Sequence, residues 1–74
     1  MQVNVRLFAT LREGRFKTEI AEIADNSRVA DVIKKYDLPP EEIAICLVNG
    51  RDADNEYVLN SGDTVSLFPP VGGG

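Results

Sequence analysis

The chain ends Pro69-Pro70-Val71-Gly72-Gly73-Gly74, and its most distinctive chemical group is the carboxylate that Gly74 carries there. Two consecutive prolines hold φ near about −65° and favour an extended exit from whatever precedes them. The three glycines remove every Cβ, so the last stretch is a strip of bare backbone that fits a tunnel closed to ordinary side chains. Gly73 and Gly74 leave the acyl carbon unshielded, and Gly72 lets the strip bend on entry. Such a tail suits delivery of a terminal carboxylate into another protein's active site. An unstructured end has the same composition, because termini are commonly disordered. The tail alone leaves both readings open.

The remaining residues offer little competing chemistry. Histidine is absent and cysteine occurs once, which removes the usual metal sites, Cys–His nucleophiles and Ser–His pairs. Carboxylates are numerous but scattered over polar segments, so no paired acid/base site is indicated. No GxGxxG or Walker-type phosphate loop occurs. Cys46 lies inside the apolar run Ile43–Val48 with no cationic neighbour in sequence, the setting of a small buried hydrophobe rather than a reactive thiol. The expectation is a protein that is not itself an enzyme and binds no metal or cofactor.

At 74 residues, 43% hydrophobic and 27% charged, the chain has the make-up of one small soluble domain. No apolar run approaches the roughly 20 residues of a membrane span, and the N-terminal residues lack a signal-peptide core. A single cysteine fits a reducing cytoplasm. Twelve acidic residues against eight basic ones give −4, which argues against a nucleic-acid partner. The charge is uneven: residues 1–35 hold seven basic and five acidic side chains, a surplus of +2, while residues 36–74 hold Arg51 against seven acids, or −6. An acidic second half would draw a basic partner surface, or serve simply as a solvated face.

Stepping along the chain, Val3, Val5 and Leu7 alternate with Gln2, Asn4, Arg6 and Phe8, as a half-buried strand requires. Arg12-Glu13-Gly14-Arg15 is a turn, and Phe16–Ile23 completes a hairpin; Ile20 and Ile23, three apart, suggest a bulge or irregular end. Asp25-Asn26-Ser27 has helix N-cap character. Val29, Val32, Ile33 and Tyr36 then recur at helical spacing over about two and a half turns, and Asp37-Leu38-Pro39-Pro40 ends them. Ile43–Val48 reads as a strand ending at the Asn49-Gly50 turn, Arg51–Glu56 as a loop, Tyr57–Leu59 as a short apolar patch, and Thr64–Phe68 as the last strand. One helix covers one sheet face, and its crossover makes a strand pair parallel.

The segment Gly62–Gly74 resembles the ending of the molybdopterin synthase small subunit (MoaD), in which a strand runs through Phe68-Pro69-Pro70 into terminal glycines. Leu7–Glu13 is similar to that family's first strand and turn, and Val48-Asn49-Gly50 to the end of its central strand. Leu38–Ile43 and the Val71–Gly74 ending look more like the thiazole-forming sulfur carrier (ThiS), and Arg28 at the helix start departs from the small or hydroxylated residue the pattern favours. The likeness to these ubiquitin-like sulfur carriers spans the whole chain. It implies an α+β, β-grasp fold: a mixed sheet of four or five strands on one main helix, residues 1–68, with an extended flexible tail, residues 69–74. It further implies that Gly74 is adenylated with ATP and Mg²⁺ by an E1-like enzyme and that a persulfide-type sulfur donor converts it to a thiocarboxylate. The tail then enters the large subunit of molybdopterin synthase or, alternatively, thiazole synthase. A ubiquitin-like modifier joined to lysines through Gly74 and a binding module with an inert tail are the other readings.

Under this reading Gly73 and Gly74 are the reactive end, and Gly72, Val71, Pro70 and Pro69 are the tail that occupies the partner's tunnel. Phe8, Leu47 and Phe68 fall on the uncovered sheet face by alternation and form a candidate docking patch. Arg6 and Arg51 are candidate charged rim contacts.

Overall fold

The computed structural model describes residues 1–70. Strand β1, Gln2–Leu7, buries Val3, Val5 and Leu7 completely, as their spacing requires. Strand β2, Thr18–Glu22, pairs antiparallel with it from Gln2↔Glu22 to Arg6↔Thr18 without interruption. Of the bulge or irregular end expected here, the bulge is therefore absent. Ile20 lies opposite Asn4 on the open face and is 62% exposed, whereas Ala21 fills the core position opposite Val3. Between the two strands a short 3₁₀ turn, Ala9–Arg12, drops Leu11 into the core.

Helix α1 spans Val29–Lys35, shorter than its apolar spacing suggested, and buries Val29, Val32 and Ile33. The cap is displaced from the expected Asp25-Asn26-Ser27 break to Arg28. The Arg28 amide donates to the Asp31 carboxylate at 2.7 Å, while the Ser27 hydroxyl instead donates to the Ala24 carbonyl at 2.6 Å. A guanidinium has no acceptor, so the other half of a capping box is not available. The helix's first free amides are satisfied from elsewhere: Val29 N–H donates to Tyr57 and Ala30 N–H to Asn55, both at 3.0 Å. Seven residues are too few for a stable isolated helix, so this one depends on the sheet beneath it and the loop before it.

Strand β3, Ile45–Val48, turns through Asn49-Gly50 into β4, Arg51–Asp52. Both turn residues have positive φ, 53° and 83°, the geometry of a two-residue hairpin whose twist matches its strands. Arg51 and Asp52, expected in a loop, are thus a fifth strand; Tyr57–Leu59 forms only an isolated bridge, Val58 to Arg28. Strand β5, Thr64–Phe68, is parallel to β1 and antiparallel to β3, giving the order β2-β1-β5-β3-β4. Asn49 locks the turn to the start of β5. Its amide donates to Asp63 Oδ1 at 2.8 Å and its carbonyl accepts from Thr64 N–H at 2.9 Å. Five strands of mixed direction under one helix are the β-grasp arrangement. No helix among the described residues is long and apolar enough to cross a membrane.

Cys46 lies opposite Leu67 in the sheet register, on the core side. Partial burial first, and the charge of Asp54 second, push its thiol up to about 11. At pH 7 that leaves roughly 10⁻⁴ of it as thiolate, the nucleophilic form, so a structural role is the one its surroundings support.

Tyr36 caps the helix, tilts against Phe16 with ring centroids 4.8 Å apart, and donates its hydroxyl to Glu19 Oε2 at 2.8 Å. Desolvation, then the bond to Glu19 and its charge, raise the phenol from 10.0 to about 12. The folded state thus holds this proton more tightly than the unfolded chain. The stabilisation is complete below pH 10 and disappears as pH rises towards 12. Chemical denaturation of the wild type and Tyr36→Phe should therefore diverge below pH 10 and converge above it. At Gly50, where φ is 83°, alanine meets no neighbour but must adopt a left-handed backbone. Urea unfolding of Gly50→Ala should show a loss of about 1–2 kcal/mol.

Candidate docking face and tail exit

The sheet has one face under α1 and one open face. Residues paired across strands share a face, so Arg6, Ser66, Leu47 and Asp52 form one row of the open face, running from β1 through β5 and β3 to β4. One row nearer the chain's exit, Phe68 lies opposite Ile45, with Phe8 on its other side. The Phe8 and Phe68 rings stack with centroids 4.1 Å apart and planes 10° from parallel. Both rings are only half-buried, Ile45 is 43% exposed, and Leu47 is half-buried. These side chains make a continuous apolar strip across three strands.

Phe8, Leu47 and Phe68 therefore lie on the open face, with the two rings in contact, and Ile45 lies there too although it was not anticipated. Counting back by two from Leu47 would have placed it there, but its position inside an unbroken apolar run concealed the alternation. Arg6 belongs to the strip: its guanidinium carbon is 5.3 Å from the centre of the Phe8 ring, within cation–π range. Arg12, which no local pattern marked, is at the same distance from that ring, and its Nε donates to the Leu7 carbonyl at 2.7 Å. Arg51 does not join them. It pairs with Val48, whose side chain faces the core, and so occupies the helix side of the β4 edge.

The tail's root is held from both sides. Phe8 N–H donates to the Leu67 carbonyl at 3.2 Å and Ala44 N–H to the Phe68 carbonyl at 2.8 Å. Pro69 and Pro70 follow with no amide hydrogen to extend either ladder, and β5 ends at Phe68. The strip thus surrounds the point where the chain leaves the sheet. Val71, Gly72, Gly73 and Gly74 lie outside the described residues. Among the described residues no group of His, Cys, Asp and Glu is placed to hold a metal ion. A groove of about 310 Å³ between Ile33, Leu38 and Pro40 belongs to the helix layer, on the other side of the sheet from the strip. What the open face can offer is an apolar landing surface with two guanidiniums at its edge, beside a segment with few side chains.

Comparison with known proteins agrees with this geometry. Residues 5–74 match the ThiS family. Small archaeal modifier protein 3 of Haloferax volcanii is 30% identical in an alignment covering all of both chains. The crystal structure of SAMP1 from Haloferax volcanii superposes with a TM-score of 0.82 at 26% identity, again over the whole of both chains. A complex of subunits 1 and 2 of the molybdopterin-converting factor from Helicobacter pylori contains a chain with a TM-score of 0.65 at 27% identity, covering all of each. With its β-grasp sheet, its strip of apolar side chains at the root of a Pro-Pro segment and this match over nearly its full length, the chain belongs to the ThiS family of ubiquitin-like sulfur carriers and modifiers.

Proposed function

We propose that this protein is a sulfur carrier for molybdopterin biosynthesis, the precursor of the molybdenum or tungsten cofactor, acting in the cytoplasm through the carboxylate of Gly74. The observation that carries the proposal is the junction at Phe68: the central strand ends in a docking strip, and Pro69-Pro70 leads the chain directly away from it. A free carboxylate resists nucleophilic attack because it is anionic and resonance-stabilised. An E1-like partner using ATP and Mg²⁺ converts it to an acyl adenylate, and the terminal sulfur of a persulfide donor displaces AMP to give an acyl disulfide. A second thiol then cleaves the S–S bond, forming a disulfide with the donor and releasing the thiocarboxylate. The carrier then docks on the larger synthase subunit, with Phe8, Leu47 and Phe68 on the contact surface and Pro69 to Gly74 in the tunnel. The likeness to subunit 1 of the Helicobacter pylori molybdopterin-converting factor, whose structure is a complex with subunit 2, supports a partner of this type.

A second reading has its own support. The 30% identity to a small archaeal modifier protein favours conjugation, in which a lysine amine instead of sulfur attacks the activated Gly74. Both readings share activation at the same carbon, and they part at the nucleophile. Sulfur delivery to a thiazole synthase is the remaining alternative within the family.

Mass spectrometry after incubation with the activating enzyme, ATP and a sulfur source should show one oxygen of the chain replaced by sulfur. Conjugates carrying Gly-Gly remnants on lysine, without the thiocarboxylate, would select the modifier reading, and an unchanged mass would defeat both. Gly74→Ala should fold normally yet be thiocarboxylated much more slowly, because its methyl group is excluded from a tunnel fitted to glycine; an unaltered rate would refute the tunnel. Phe68→Asp should weaken capture by the acceptor subunit at least tenfold, since it places a charge at the centre of an interface where desolvation is most costly. Isothermal titration of the two forms gives the ratio.

A further inference from the structure

Because β1 and β5 are parallel, the end of β1 and the root of the tail lie at the same end of the sheet. The connection leaving β1 brings Arg12, Arg15 and Lys17 to that end, and Arg6 stands beside Phe8 in the strip. Residues 6–17 therefore hold four cations against one carboxylate, Glu13, in a chain whose net charge is −4. Arg6, Arg15 and Lys17 are exposed and Arg12 is half-buried. Among the described residues, none of the four has a carboxylate within salt-bridge distance, whereas Arg28 is paired with Glu56. Backbone carbonyls fix two of them: Arg12 is bound to the Leu7 carbonyl, and Arg15 donates to the Leu11 carbonyl at 3.3 Å.

Resting on the carrier reading, we infer that this cationic collar recognises a protein surface whose Asp and Glu side chains line one side of the opening that receives the tail, beside an apolar centre that meets the Phe8–Phe68 stack. The charge distribution selects that occupant. Guanidiniums pair with carboxylates through two parallel hydrogen bonds and are more weakly hydrated than ammonium groups. An apolar centre with a polar, charged rim is the usual anatomy of a protein interface. A nucleic acid is a poor fit, because four cations would have to outweigh the twelve carboxylates of the same chain. The uneven charge read from the sequence as an acidic second half seeking a basic partner thus acquires the opposite sign at the face that matters. Folding places the cation-rich segment on the β1 side of the exit, while Ala44 and Ile45 of the second half flank its other side.

The test uses two measurements on the full chain. In ATP–pyrophosphate exchange by the activating enzyme, a double variant with Arg6→Glu and Arg15→Glu should raise KM for the chain about tenfold at low salt with kcat nearly unchanged. The gap should close as salt is added, because rim charges are screened. An unchanged KM, or an increase that salt does not reduce, overturns the inference, provided the variant's amide spectrum remains that of the wild type. In the second measurement poly-L-glutamate is titrated into labelled wild-type protein. Amide shifts should concentrate at residues 6–17 and 66–68 and spare Lys34 and Lys35. Shifts that are absent, spread equally to the helix lysines, or exceeded by those from a DNA duplex overturn it. If the wild type supports no exchange at all, the carrier reading fails, and the glutamate titration still decides the collar.

Discussion

The parallel pairing of β5 with β1 is the constraint from which most of the molecule follows. A parallel pair needs a crossover, and here the crossover contains the helix that roofs one sheet face. Once β5 is inserted between β1 and β3, its inward residues Val65 and Leu67 join the core residues that have no exposure at all. The same insertion decides where the chain leaves. A last strand at the edge of a sheet would release its tail beside solvent. A central one releases it between two neighbours, and both neighbours hydrogen-bond its final carbonyls.

The two faces of the sheet consequently have different duties. The helix face is filled by a compact set of aliphatic side chains in which Val3, Val5, Leu7, Val29 and Val32 leave essentially no accessible surface. The open face carries a shallow aromatic and aliphatic strip, and its polar rows are short residues such as Ser66 and Asn4. Under the proposed docking, stability and recognition are thereby separated, because substitutions on the open strip need not disturb the core. The stacked pair Phe8–Phe68 bridges a strand end to the tail root, so the strip and the exit share their position by construction. Ala9, immediately after Phe8, has a φ of 51°, a left-handed conformation unusual for alanine. That turn sends the chain from β1 into the 3₁₀ segment that brings Arg12 back over the Phe8 ring.

Much of this was legible in local patterns. Alternation in β1, positive-φ residue types at Asn49-Gly50 and the Phe-Pro-Pro-to-glycine ending identify elements whose causes lie within a few residues of each other. The errors share one origin. The helix cap moved to Arg28 because the loop at Asn55–Tyr57 supplies acceptors for the first amides, and β4 formed because β3 was available to pair with it. Ile20 and Ile23 looked like a bulge only while their two faces were unknown.

The sequence by itself determined the composition available for chemistry: a strand leading into two prolines and three glycines, no histidine, and one cysteine in an apolar run. Tertiary structure alone decided which side chains surround that exit. Phe8, Arg12, Ile45 and Phe68 come from three separate segments, and only strand register brings them to one end of one face. Arg51, equally basic in composition, was sent to the other side by a single step of the pleat. The physical reason is that side-chain direction in a strand has a period of two, while the partner strand and its offset are set by the packing of the whole core.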